Sequence, residues 1–189
     1  MRSVLNNSIV AHVVSAAAAV ALAGAAIMMQ VATSQAARAA GETQVGSATG
    51  LPVPRYVSLR SGAVNMRQGP SKEHGTLWIY RREGLPVEIT AEFEIWRKIR
   101  DSDGTEGWVL HSLLSGRRTA LVSPWHKDGL IEVRARPDSA APVAARLEPR
   151  VVAQVRKCDH HWCRISGKEF DGFVAQKELW GVYPNERLD

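Results

Sequence analysis

The sequence predicts an all-β protein of two tandem small antiparallel units, barrel or sandwich, and three observations carry that reading. First, the chain repeats itself. Val64-Asn65-Met66-Arg67-Gln68-Gly69-Pro70 lines up with Ile131-Glu132-Val133-Arg134-Ala135-Arg136-Pro137, Trp96-Arg97-Lys98-Ile99 with Trp162-Cys163-Arg164-Ile165, and Gly107-Trp108-Val109 with Gly172-Phe173-Val174. The offset shortens by one residue from block to block, as deletions in loops produce when strands are kept. Second, the apolar period is two: Leu85, Val87, Ile89, Ala91 and Phe93 alternate with Pro86, Glu88, Thr90 and Glu92, placing one apolar face on a half-exposed strand. Third, turn signals recur at short spacing, at Gly69-Pro70, Asp103-Gly104, Asp128-Gly129, Ser166-Gly167 and Asp171-Gly172. After residue 40 only His111 to Leu114 and Gln176 to Leu179 suit a helical turn.

In chain order, residues 1–39 hold Arg2, Arg38 and no acid, around an Ala/Val-rich run from Ile9 to Val31 interrupted by His12, Ser15 and Gln30. A positive start, an apolar middle and a small-residue end at Ser34-Gln35-Ala36 or Ala37-Arg38-Ala39 are the pattern of a cleavable secretory signal. The run is also long enough to span a bilayer, so an uncleaved anchor is the alternative, and only then does the chain meet a membrane. Either way the remainder is expected to be periplasmic or secreted. Residues 40–55, AGETQVGSATGLPVPR, are small and polar and end in Pro52 and Pro54, which reads as a flexible linker. The first folded unit is expected over 56–120, the second over 121–183, and a tail over 184–189, with Arg118 to Ser123 able to close the first unit or open the second.

The chain carries 24 Lys+Arg against 19 Asp+Glu. Two of those arginines fall in residues 1–39, and the longest basic groupings elsewhere are Arg81-Arg82 and Arg117-Arg118. Such pairs fall short of the blocks that bind nucleic acid, so no nucleic-acid partner is expected. Units of this size bury little surface, and large aromatics are the expected compensation. Trp78, Trp96 and Trp108 in the first copy, Trp162, Phe173 and Trp180 in the second, and Trp125 near the junction are therefore read mainly as core.

These blocks resemble the bacterial SH3-like domain family, in two tandem copies over residues 56 to about 182. The resemblance rests on Val64 to Ser71, Trp96-x-x-Ile99 and Gly107-Trp108-Val109, and again on Val133-Arg134-x-x-Pro137, Trp162 to Ile165 and Gly172-Phe173-Val174; Arg136 replaces the first glycine in the second copy. It implies two small SH3-like β-barrels and a binding or targeting role, often toward cell-wall peptides or glycans. The blocks also make sense without the family: Gly-Pro ends a strand, and a glycine before an aromatic permits the close backbone approach of a small barrel.

An enzyme needs a nucleophile, a base and a group that orients the base. Ser71 near His74, His111 beside Ser112, and Ser123 near His126 have no motif around them. The two copies leave no span for a catalytic domain, so no catalytic residue and no cofactor is expected. Cell-wall hydrolysis is the least favoured alternative.

The stretch Lys157-Cys158-Asp159-His160-His161-Trp162-Cys163 holds both cysteines and two of the six histidines. Its candidate ligands are too close together to converge on a tetrahedral metal, and no C-x-x-C redox motif is present, so no metal site is expected. The repeat places Cys158 and Cys163 opposite Glu92 and Arg97, which carry opposite charges. If these positions face each other across a hairpin tip, one copy is joined by an ion pair of roughly 0.2–1 kcal/mol and the other by a disulfide of about 2 kcal/mol. A Cys158–Cys163 disulfide in an exported protein is therefore expected, with the histidines facing solvent. The expected function is non-catalytic binding of a cell-wall peptide or glycan, or of an envelope protein, in a shallow groove with Arg67, Trp78, Tyr80 and Trp125 as candidates. A purely structural scaffold is the alternative.

Overall fold

The period-two pattern becomes fifteen strands in two antiparallel sheets, described for residues 44–189 in a computed structural model. The segment 1–39, read as a signal or anchor, lies outside those residues. The first copy comprises β1 (Arg55–Leu59), β2 (Val64–Arg67), β3 (Thr76–Tyr80), β4 (Pro86–Phe93), β5 (Trp96–Arg100), β6 (Glu106–Leu110), a single 3-10 turn (His111–Leu113) and β7 (Leu114–Ser115). The second comprises β8 (Thr119–Val122), β9 (Ile131–Arg134), β10 (Val143–Leu147), β11 (Val152–Asp159), β12 (Trp162–Ser166), β13 (Asp171–Ala175), a 3-10 turn (Gln176–Glu178) and β14 (Leu179–Trp180). The strand orders are β3-β2-β6-β5-β4-β1-β7 and β10-β9-β13-β12-β11-β8-β14, the same order with the numbers advanced by one repeat. The expected all-β fold of two tandem SH3-like barrels is thus present in both sheets. β8 pairs with β11 and β14, as β1 pairs with β4 and β7, so Arg118 to Ser123 opens the second barrel.

Each barrel closes on aliphatic side chains: Leu59, Val64, Met66, Ile99 and Val109 in one, Val122, Val133, Ile165 and Val174 in the other. Each such side chain contributes roughly 1.5–3 kcal/mol by leaving water. The expectation that the tryptophans are mainly core is corrected. Trp96 is buried, Trp108, Trp162 and Trp180 are half-buried, and Trp78 and Trp125 are exposed. Barrels this narrow are filled by branched aliphatics, which leaves large rings for the rims. The glycines before the aromatics do what their position predicts. A Cβ on Gly107 would lie 2.9 Å from the Arg67 carbonyl oxygen, and one on Gly172 2.6 Å from that of Arg134, where β6 meets β2 and β13 meets β9.

The alternation expected along β4 fails towards its tip. The β4–β5 register shifts between Ile89 and Ala91, so one extra residue sits in the strand and every later side chain changes face. Phe93, expected inside, is 48% exposed, and Glu92, expected outside, is buried. An equivalent shift between Val155 and Lys157 turns Cys158 inward. Glu92 then faces Arg97 and Cys158 faces Cys163, both as direct cross-strand partners, and the two cysteines are disulfide-bonded.

Both hairpin tips are covered by segments expected to be a linker and a tail. From Gln44 the chain is not a free tether: Val45 bridges Pro52, and the turn between them lies on Glu92. The amides of Ala48 and Thr49 donate to Glu92 Oε2 at 3.0 and 2.9 Å, the Thr49 hydroxyl and Arg55 donate to Oε1 at 2.8 and 2.6 Å, and the Arg97 Nε stands 3.4 Å away. The buried carboxylate supplies acceptors that composition does not reveal. In the second barrel β15 (Arg187–Leu188) pairs with β11 at Cys158 and Asp159, directly over the disulfide.

The barrels are joined by polar and aromatic contacts. The Thr119 hydroxyl donates to the Gly84 carbonyl at 2.8 Å, and Tyr183 donates to Glu88 at 2.9 Å. Tyr56 packs against Trp180 and Tyr183, with ring centroids 5.4 and 4.6 Å apart. Glu88, which alternation assigns to solvent, is buried by these neighbours and accepts from Arg100 Nε at 2.9 Å.

Candidate functional site

Large apolar side chains exposed among the described residues fall in three places: Val45, Leu51, Phe93 and Ile95 about the first hairpin tip, Leu77, Trp78 and Ile79 on β3, and Trp125 and Leu130 on the β8–β9 loop. Two of these border clefts that contain an exposed tryptophan.

The β8–β9 loop is held at its root by Ser123, a non-glycine residue at φ +36°. Its amide donates to the Glu178 carbonyl at 2.7 Å, its hydroxyl to the Glu178 carboxylate at 2.7 Å, and its carbonyl accepts the His126 amide at 3.1 Å. A residue in that sparsely populated region persists only when its surroundings fix it, and these three bonds do so. They present Trp125, which is 53% exposed, to a cleft of about 610 Å³. The opposite walls are His160, His161 and Trp162 from the disulfide-bonded tip, and Lys177 and Trp180 from the second 3-10 turn and β14.

The tip itself is fixed. Asp159 accepts the amides of Trp162 at 2.8 Å and His161 at 3.2 Å, and those bonds, the Trp162 amide foremost, hold its carboxyl below the usual range. His160, at φ +81°, donates through Nδ1 to the Asn185 carbonyl at 2.7 Å. The cleft is therefore apolar in its walls and cationic at Lys177, with two imidazoles at its edge.

A second cleft, of about 390 Å³, lies where the barrels meet. Trp78, 59% exposed, and Tyr80, 6% exposed, line it from β3, and Leu121 and Arg150 line it from the second barrel. Tyr80 donates to Asp101 at 2.9 Å; burial, then the Asp101 charge, pushes its phenol well above the usual range, so it stays a neutral donor.

Of the four groove residues expected from sequence, Trp78 and Tyr80 share the joint cleft and Trp125 lies in the other. Arg67 is in neither. Its guanidinium donates to the carbonyls of Lys72 and His74 at 3.1 and 2.7 Å, closing the β2–β3 connection, and its counterpart Arg134 donates to the Ala141 carbonyl in the same manner. Both arginines clasp the connection that follows their strand, although Arg134 also pairs with Glu132, and Arg67 stands outside the two clefts.

His160, His161, Trp162 and Lys177 were not expected at a site. The first three lie in a stretch that reads as a hairpin clasp and Lys177 in an expected helical turn, and nothing local shows that either faces the loop carrying Trp125. Among the serine–histidine pairs, the Ser123 hydroxyl is committed to Glu178, and Ser71 accepts the Glu73 amide.

The sequence profile of the bacterial SH3 domain matches residues 60–116 and 127–181, one match in each barrel. No curated protein matches the chain. Two similar solved structures are those of NlpC2 and NlpC1 from Trichomonas vaginalis, 11% and 9% identical, covering 68% and 71% of this chain, each with a TM-score of 0.31. The chain spans about half the length of those two proteins, 48% of each.

Proposed function

Because the chain belongs to the bacterial SH3 domain family in both of its repeats, we propose that it is an exported, non-catalytic binding protein that holds an extended cell-wall peptide or glycan in the Trp125 cleft. The observation that carries this reading is the loop presenting Trp125, half-exposed, opposite Trp162 and Lys177. An exposed indole on a loop anchored by three hydrogen bonds offers apolar area at little ordering cost, which is what an aromatic-lined groove for an extended ligand needs. Export is supported by the Cys158–Cys163 disulfide and by the apolar leader.

A structural scaffold has one observation in its favour: Tyr56, Trp180 and Tyr183 are used to join the barrels. Co-sedimentation of the purified protein with isolated peptidoglycan separates the readings. Binding predicts retention that falls at least tenfold in Trp125→Ala with unchanged near-UV circular dichroism. A scaffold predicts no retention even at low salt, and a hydrolase predicts soluble muropeptides released by the protein alone.

A further inference from the structure

We propose that the cleft at the joint of the two barrels is a second binding site, for a short extended peptide segment carrying an acidic side chain between apolar ones. The site is bipartite: Trp78, Tyr80 and Arg82 come from the first barrel, Leu121 and Arg150 from the second. Its volume of about 390 Å³ suits a few residues rather than a domain.

The charge preference follows from which groups around the cleft are already satisfied. Asp103 is paired with Arg150 at 2.7 Å, across the joint. Asp101 accepts the Tyr80 hydroxyl and the amides of Asp103 and Thr105. Glu83 faces Arg117 at 3.5 Å. Arg82, by contrast, donates from one nitrogen to the Arg150 carbonyl at 3.1 Å and has no carboxylate within salt-bridge distance among the described residues. A guanidinium presents five donors in a planar fork suited to a carboxylate, so most of its capacity is unused. Arg81 beside it also lines the cleft and makes no ion pair among the described residues. Two uncompensated arginines next to an exposed indole on an apolar floor match a carboxylate flanked by apolar side chains.

The second barrel has no equivalent on its own, since the β10 counterpart of β3 carries Ala144, Ala145 and Arg146 where β3 carries Leu77, Trp78 and Ile79. The site therefore depends on the repeats having diverged and on both being present.

The test uses the full-length protein, labelled with ¹⁵N, and three probes: acetyl-Leu-Glu-Leu-amide, acetyl-Leu-Gln-Leu-amide, and acetyl-Leu-Gln-Leu with a free carboxylate. The Trp78 indole resonance, assigned with Trp78→Phe, is expected to shift with the Glu peptide at an affinity at least tenfold above that for the neutral Gln amide. The combined variant Arg81→Gln/Arg82→Gln is expected to erase that difference while the Trp125 indole resonance stays unchanged. Equal affinity for Glu and Gln peptides, tighter binding of the free-carboxylate Gln peptide, or an unmoved Trp78 resonance overturns the proposal. None of these bears on peptidoglycan retention at Trp125, so the two sites fail separately.

Discussion

At the tip of the first barrel's long hairpin, one carboxylate holds together three parts of the chain. Glu92 accepts from the 48–49 turn, from Arg55 at the start of β1, and faces Arg97 across the hairpin. Burial alone would raise its carboxyl, but bonds from Arg55, Thr49 and the amides of Ala48 and Thr49 outweigh that and hold it at about 2, against an ordinary 4.5. A carboxyl lowered on folding stabilises the native state fully above about pH 4.5, and that contribution is lost as pH falls through about 2. Glu92→Gln is expected to cost about 3 kcal/mol near neutral pH, because it leaves buried Arg97 and half-buried Arg55 without their counter-charge. It should also flatten the fall of stability between pH 4.5 and 2. Urea unfolding at a series of pH values measures both, and a variant that keeps the full acid slope contradicts this role. The opposed charges at Glu92 and Arg97 were legible from the repeat, but the turn that docks on them was not, because AGETQVGSATG has the composition of a tether.

At the scale of the element, the repeated units and their turns were legible and the local register was not. Repeated blocks, turn signals and the alternation along β4 show that both copies are built of strands, since they record chemistry the copies share. The extra residue at Thr90 leaves no mark in the alternation, yet it decides that Phe93 is exposed and Glu92 buried. The glycines were legible because a close approach demands one in each copy. Gly172→Ala would drive a Cβ to 2.7 Å from Val133 Cγ1 as well as against the Arg134 carbonyl, whereas Gly107→Ala presses on the flexible Met66 besides the Arg67 carbonyl. Gly172→Ala is therefore expected to lower stability by about 2–3 kcal/mol, and Gly107→Ala by less. Thermal or chemical denaturation ranks them; equal, small losses would mean that β2 and β9 can retreat from their neighbours.

At the scale of the whole molecule, the two barrels are not interchangeable beads. Thr119, Tyr183 and Arg150 of the second barrel reach Gly84, Glu88 and Asp103 of the first. These contacts were hidden from sequence because each residue looks solvent-facing within its own repeat. The exposed Arg150–Asp103 pair adds little stability, whereas Tyr183 on Glu88 is partly buried and holds the joint more firmly. The same divergence that builds the joint puts Trp78 and Trp125 in different clefts, although both suggest one groove when read from sequence. The most direct test of the proposed function is an indole-resolved ¹⁵N titration of the intact protein with soluble peptidoglycan fragments. Saturable shifts are expected at Trp125, Trp162 and Trp180 while buried Trp96 stays fixed; an unmoved Trp125 resonance at saturating fragment rules out this cleft as the binding site.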